Sequence, residues 1–303
     1  MTAEKSAVSI SVEASAGFVF SLVTDAPKWP WIFPWILHTE CSDRGGADDV
    51  FTCWGLTPEG TTRIFSSRRH IDRDRLVMDF EQREPVGDVR RLSGRWTCVP
   101  DGERRMTLRQ EHTFEVAGDD PESAAKARAM FARHGSAQLN ALKERAEGFS
   151  DVSARTLALT DSVQVKSDLA SVYEAFRDAS SWPKFVSRVD RAVVAETPQN
   201  VQFVELSVRD GHSVHTTRSA RVGFPRTKIV YKQTEPSDLF ELRAGYWSFA
   251  EEDAGVVVTA GHTAIVTGSA SLASADAPAE ARRFLRGAMS AHLHEAKKFV
   301  ENQ

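Results

Sequence analysis

The chain repeats itself. Trp29-Pro30 recurs as Trp182-Pro183, 153 positions on, and Gly94-Arg95-Trp96 is answered by Gly245-Tyr246-Trp247, with the tryptophans 151 apart. Glu111-His112-Thr113 is answered by Gly261-His262-Thr263, 150 apart, and the run Ala137–Lys143 by Ala291–Lys297, 154 apart. Four landmarks in one order, drifting by a few residues, mark a duplication. The period is too long for a solenoid unit, so each copy is expected to be a complete domain. Length agrees, because 303 residues exceed what one core usually holds. The expected domains are 1–148 and 155–303, with a short linker between them.

Composition excludes several classes. Hydrophobic residues make up 41% and charged residues 26%, as in an ordinary globular protein. The net charge of −4 is spread evenly, with 20 basic and 23 acidic residues in 1–150, then 18 and 19. Neither half has the basic excess of a nucleic-acid binder. Cys41, Cys53 and Cys98 are odd in number and fall outside any CxxC or Cys/His spacing, so reduced thiols are expected rather than a zinc site. Met1 to Val12 lacks the apolar stretch of a secretion signal, and no run approaches the roughly 18 apolar residues of a membrane span. A cytoplasmic location without membrane contact is therefore expected. GxSxG, HExxH and the nucleotide-binding glycine patterns are all missing from the sequence.

Each copy opens on alternating apolar residues, Val8, Ile10 and Val12 or Leu157, Leu159 and Val163 or Val165, which predicts a half-buried strand. Short helices are expected over Ala16–Thr24 and Leu169–Asp178, capped by Ser15 and by Ser167 or Asp168, with Pro27 and Pro183 just beyond them. Several strands follow, separated by turns at Asp43–Asp49, Pro58–Gly60, Pro100–Gly102 and Glu251–Gly255. Long amphipathic helices over 121–147 and 277–301 close the copies. This order predicts an α+β fold, a curved antiparallel sheet around a C-terminal helix, with room for a ligand between them.

That pattern resembles the helix-grip fold of the START/Bet v1 superfamily. Within it, the chain resembles the di-domain aromatase/cyclases of bacterial type II polyketide synthases over nearly all its length. The resemblance implies two tandem helix-grip domains that fold and dehydrate a poly-β-ketone, with no metal or organic cofactor. It implies an acyl-carrier-protein-tethered substrate and the minimal polyketide synthase as partners. The family's strand arginine matches Arg69 and, in the second copy, Arg221 or else Arg218. Its pocket tryptophans match Trp96 and Trp247 and those after the short helix Trp29 and Trp182, and a pocket histidine carried by some single-domain relatives matches His112 and His262. Some relatives carry a tyrosine after Trp-Pro; here that stretch reads Trp31-Ile32-Phe33-Pro34-Trp35.

The chemistry suits these residues. Ring closure of a poly-β-ketone is an intramolecular aldol addition followed by loss of water, and orientation alone contributes about 7–11 kcal/mol. Charge develops on an oxygen, which a guanidinium can hold, while an imidazole moves the protons. Strand parity puts Arg63, Phe65 and Ser67 on the face of Arg69 and turns Arg68 and His70 away. Leu108, Gln110, His112 and Phe114 share one face, as do Val258, Ala260, His262, Ala264 and Val266. The expected catalytic residues are thus Arg69, His112, Arg221 and His262. Trp29, Trp35, Phe65, Ser67, Trp96, Gln110, Trp182, His215 and Trp247 are expected to bind substrate.

The plainer readings are core histidines, a solvated basic strand around Arg69, and tryptophans that only pack. On the closing helices either Asn140 and His294, or Gln138 and His292, face inward. The first copy is rich in rings (Trp29, Trp31, Phe33, Trp35, Phe51, Trp54) and the second in imidazoles (His212, His215, His262, His292, His294), which suggests two cavities of different polarity. Arg90, Arg91 and Arg95, or Arg104 and Arg105, are candidates for carrier docking, against the reading of ordinary surface charge. The rival to an enzyme is a non-catalytic carrier of a lipid or polyketide-like ligand, because one fold serves both uses.

Overall fold

In a computed structural model, residues 3–42, 46–57, 60–210, 213–268 and 276–303 are described. Contacts divide the chain into residues 1–150 and 151–303. The first unit runs β1 (Glu4–Val12), α1 (Ala16–Thr24), β2 (Ile36–Cys41), β3 (Asp48–Leu56), β4 (Thr62–Asp72), β5 (Val77–Gln82), β6 (Val89–Pro100), β7 (Met106–Val116) and α2 (Pro121–Glu147). The second repeats it as β8 (Thr156–Val165), α3 (Leu169–Arg177), β9 (Val189–Glu196), β10 (Val201–Asp210), β11 (Ser213–Phe224), β12 (Lys228–Glu235), β13 (Phe240–Glu252), β14 (Gly255–Val266) and α4 (Ala277–Glu301). Each sheet has seven antiparallel strands, in the orders β1-β7-β6-β5-β4-β3-β2 and β8-β14-β13-β12-β11-β10-β9. These are two helix-grip domains, each a sheet wrapped on its long helix.

Local chemistry sets the element ends. Asp120 accepts hydrogen bonds from the backbone N–H groups of Glu122 and Ser123, and Pro121 opens α2 with the dihedral a first turn needs. Asp168 caps α3 through the Ser171 N–H, whereas Ser15 takes the cap position of α1 with no side-chain bond. Pro27 and Pro183 lie inside short 3-10 helices, Ala26–Lys28 and Ala179–Lys184, that continue the chain past α1 and α3. The expected linker is itself structured, as a short helix over Phe149–Ala154. The last expected turn narrows to two residues between β13 and β14, and parts of those at 43–49 and 58–60 lie outside the described residues.

The repeated Trp-Pro has a structural cause. Trp29 Nε1 donates to the Val23 carbonyl at 3.2 Å and Trp182 Nε1 to the Ala175 carbonyl at 3.0 Å. Each indole satisfies a carbonyl at the end of a short helix, where none has an intrahelical partner. Trp29 then packs edge-on against Phe33 and Phe51. These three rings are buried in the core.

The repeated glycines of β6 and β13 have a cause as well. A Cβ on Gly94 would meet the Glu111 carbonyl and the Phe80 ring, and one on Gly245 the Gly261 carbonyl and the Tyr231 ring. Both Gly94→Ala and Gly245→Ala are expected to lower stability by about 1–3 kcal/mol through overpacking against backbone, read as a fall in urea midpoint at unchanged m-value.

Candidate active site

A buried arginine stands at the same register in each sheet. On β4, Ser67, Arg69 and Ile71 are buried while Arg68 and His70 are exposed, as parity requires. Arg69 Nη1 donates to the Thr24 carbonyl at 3.1 Å, at the end of α1. On β11, Arg221 Nη2 donates to the Phe176 carbonyl and Nη1 to the Arg177 carbonyl at 3.5 Å, at the end of α3. Each guanidinium thus ties a strand to the C-terminus of its short helix, where cations are favoured. Arg218, the alternative match, is exposed and paired with Glu205 and Glu235.

The two arginines differ in what else they touch. Asp49 is the cross-strand partner of Arg69, and Gln202 that of Arg221. Asp49 takes Arg69 in a bidentate pair, Nε to Oδ1 at 2.8 Å and Nη2 to Oδ2 at 2.5 Å, with both groups buried. Gln202 turns instead to Glu196, at 3.2 Å. Arg221 therefore lacks a carboxylate among the described residues, and its buried Nε has no hydrogen-bond partner there. Burial pushes its pKa down to about 10, which leaves it charged at neutral pH. The rings of Trp182 and Trp247, 5.0 and 5.5 Å from its guanidinium carbon, supply π-faces in place of an anion.

Arg221 belongs to the wall of a cleft in the second domain. The cleft holds about 910 Å³ free of protein atoms, its open mouth included. Trp182, Arg221, Tyr231, Arg243, Trp247, His262 and His292 line it, with His215, Thr217 and Ser219 from β11 and Phe284, Ala288 and Met289 from α4. His292 lies against Trp182, Phe176 and Trp247, with ring centroids 4.5, 5.3 and 5.5 Å away, and its Nε2 is buried without a partner among the described residues. Tyr231 Oη lies 2.9 Å from His262 Nδ1. Burial, aided by Arg243 and His292, pushes His262 down to about 3, and burial beside Arg221 pushes His292 to about 3. Both imidazoles are neutral at pH 7.

The first domain is furnished differently. His112 stacks on Phe131 at 5.0 Å and meets Phe80 edge-on, and burial pushes it to about 4. Gln110 Nε2 donates to Gln138 Oε1 at 2.7 Å, which leaves Gln110 Oε1 unpartnered among the described residues. Trp96 and Trp29 sit in the core, and Ser67 is buried opposite Phe51. Phe65 lies under Arg63, and Trp35 against His134. His134 is exposed, and desolvation of its ring, with Arg63 nearby, lowers its pKa.

Helix phase is now fixed. Gln138 and His292 face inward, and His294 is an exposed residue bonded to the Ser290 carbonyl. His212 lies outside the described residues. Sequence reasoning treated Arg69 and Arg221 as equivalents, and their partners make them unlike. It also passed over Asp49, Gln202, Tyr231 and Arg243. The signal for these was the duplication itself, since Asp49 and Gln202, Phe80 and Tyr231, and Leu92 and Arg243 occupy matching registers. Among the described residues there is no cluster of three or more His, Cys, Asp or Glu suited to a metal, and no helix long and apolar enough to cross a membrane.

Comparison with known proteins places this architecture. Residues 12–142 match the family described as polyketide cyclase/dehydrase and lipid transport. The granaticin polyketide synthase bifunctional cyclase/dehydratase of Streptomyces violaceoruber is 29% identical, over 95% of this chain and 90% of that one. The crystal structure of the di-domain ARO/CYC BexL, from the BE-7585A biosynthetic pathway, superposes with a TM-score of 0.88 at 29% identity, covering 99% of this chain and 98% of its own. That of the di-domain ARO/CYC StfQ, from the steffimycin pathway, gives 0.86 at 26% identity, covering 98% of each chain. The chain is thus similar, over nearly all its length, to the di-domain polyketide aromatase/cyclases.

Two outcomes are expected of this aromatase/cyclase relative. Asp49→Asn strands a buried guanidinium and should cost about 3–5 kcal/mol, seen as early urea unfolding of the first domain. Separately, the depressed histidines bind protons in the unfolded chain near pH 6.5 and in the folded chain only near pH 3–4. Stability is therefore full above pH 6.5 and falls as pH drops below it, by up to about 1.4 kcal/mol per pH unit for each histidine. His292→Gln should flatten that slope in urea titrations between pH 7 and 5.

Proposed function

We propose that this chain closes and dehydrates the first ring of a poly-β-ketone, and that the chemistry is concentrated in the second domain. The observation that carries the assignment is the buried Arg221 in the cleft wall, which among the described residues has no carboxylate paired with it and no partner for its Nε. Removing a guanidinium from water without a counter-ion corresponds, at its depressed pKa, to roughly 3 kcal/mol. An enolate or alkoxide oxygen arriving at Nε offsets that cost, so the arginine favours the charged species over the ketone. His292 Nε2, neutral and unpartnered, takes the methylene proton that makes the carbon nucleophilic. Trp182 and Trp247 flank the same space and present flat apolar faces to a forming ring. The first domain, with Arg69 committed to Asp49, serves to hold or shape the chain.

The substrate in this reading arrives on an acyl carrier protein of a type II system in the cytoplasm. Of the arginines considered for docking, Arg95 and Arg105 pair with Asp79 and Asp101, while Arg90, Arg91 and Arg104 are exposed. The experiment is reconstitution with a minimal polyketide synthase and product analysis. Gln202→Asp restores the first-domain arrangement around Arg221 and keeps the helix cap. It is expected to lower aromatised product by about 10²–10³-fold without loss of stability, and Arg221→Ala to do the same with loss of stability. A product profile that ignores both substitutions, and the addition of the protein itself, would favour the carrier reading.

A further inference from the structure

Tyr231, Gly245 and His262 form one cross-strand row over β12, β13 and β14, because Tyr231 pairs with Gly245 and Gly245 with His262. The middle position has no side chain. A Cβ there would lie 2.8 Å from Tyr231 Oη. The phenol uses that space to lie across the sheet, stacked on Trp247 at 5.1 Å, and so brings Oη to 2.9 Å from His262 Nδ1. Arg243, two residues before the glycine, hydrogen-bonds the same phenol from the cleft wall. The first domain has the same row as Phe80, Gly94 and His112, with Leu92 in the place of Arg243. It keeps the imidazole and lacks both the hydroxyl and the guanidinium.

Resting on the function proposed above, we infer that Tyr231 is the acid of the water-loss step, delivering its phenolic proton to the departing hydroxyl, with His262 as its positioning residue. His262 carries its proton on Nδ1 and donates it to the phenol oxygen, which turns the phenolic hydrogen toward the cleft. The Cα–H bond of the β-hydroxy ketone breaks and its proton passes to His292. A carbon–carbon double bond forms, the C–O bond breaks, and the hydroxyl takes the Tyr231 proton and leaves as water. The phenolate left behind is held by Arg243 and the His262 N–H. The proton on His292 returns to Tyr231 through water entering the open mouth, so nothing is oxidised or reduced. Burial raises the phenol's pKa to about 12, which keeps it protonated until the step occurs.

Tyr231→Phe tests this in the full chain with the reconstituted synthase, with products and intermediates separated by mass. The variant is expected to fold, since Phe80 fills this frame in the first domain. It should accumulate a cyclised product still carrying the elements of water and make the dehydrated ring at least about 10²-fold more slowly. Incorporating 3-fluorotyrosine at 231 should shift the alkaline limb of the dehydration profile to lower pH, which a packing role would not do. Dehydration by Tyr231→Phe at the wild-type rate, while Gln202→Asp is impaired, overturns the assignment and leaves the second-domain site standing. Equal loss of cyclised and dehydrated products also overturns it, by making Tyr231 structural. Indifference of the products to both variants overturns the site and the assignment together.

Discussion

A buried guanidinium joins sheet to helix in each half of this protein. The last carbonyls of α1 and α3 point into the interior, away from water, and a strand arginine meets them. Buried backbone acceptors require donors, and a charge-assisted donor is among the strongest available. The arginine also anchors the rings around it, since Trp29 and Phe51 flank Arg69 while Trp182 and Trp247 flank Arg221. Structure alone therefore accounts for an arginine in both copies. Catalysis is needed to explain only what differs between them.

The difference is one cross-strand neighbour. With Asp49 opposite, the guanidinium is neutralised by a bidentate pair, and a buried pair of good geometry has little left for a passing oxygen. With Gln202 opposite, the same cation keeps an unsatisfied N–H and faces a cleft. Other paired positions change in the same direction, since Phe80 becomes Tyr231, Leu92 becomes Arg243 and Gln138 becomes His292. Each exchange adds a proton donor, a cation or a base to the second cavity. On the proposed reading, duplication separates the demands of a stable core from those of a reactive site, because a half that keeps Arg69 paired need not carry the cost of leaving Arg221 unpaired.

The architecture was legible because it rests on periodicity. Alternation in β1 and β8, the turn residues and the apolar stripes of α2 and α4 report backbone geometry directly, and the long helices begin and end where those stripes do. Arginine and histidine positions were legible through family resemblance. Their states were not, for burial, pairing and pKa depend on residues far away in sequence. Asp49 is 20 residues from Arg69, and only strand register brings them together. Trp29 is buried with its indole fixed to the end of α1, whereas Trp31 and Trp35 are half-buried, a distinction that the run of rings does not carry. Tyr231 was missed because a lone tyrosine in a strand has no pattern; Gly245 gives it a partner two strands away.

The neutral histidines sharpen the mechanistic picture. An imidazole pushed to about 3 is a weak base toward water, and in isolation a poor choice for removing a proton from carbon. The depression arises first from burial and then from Arg221, whose charge repels a second cation nearby. In the proposed mechanism, an enolate or alkoxide at Arg221 changes both conditions at once. It supplies the negative charge that makes imidazolium acceptable beside the guanidinium, so proton transfer to His292 and oxyanion formation become favourable together. On that proposal, neither group reacts before the substrate is seated. A site of this kind restrains premature proton abstraction from a chain with many acidic methylenes, which is the selectivity that ring closure on a poly-β-ketone demands.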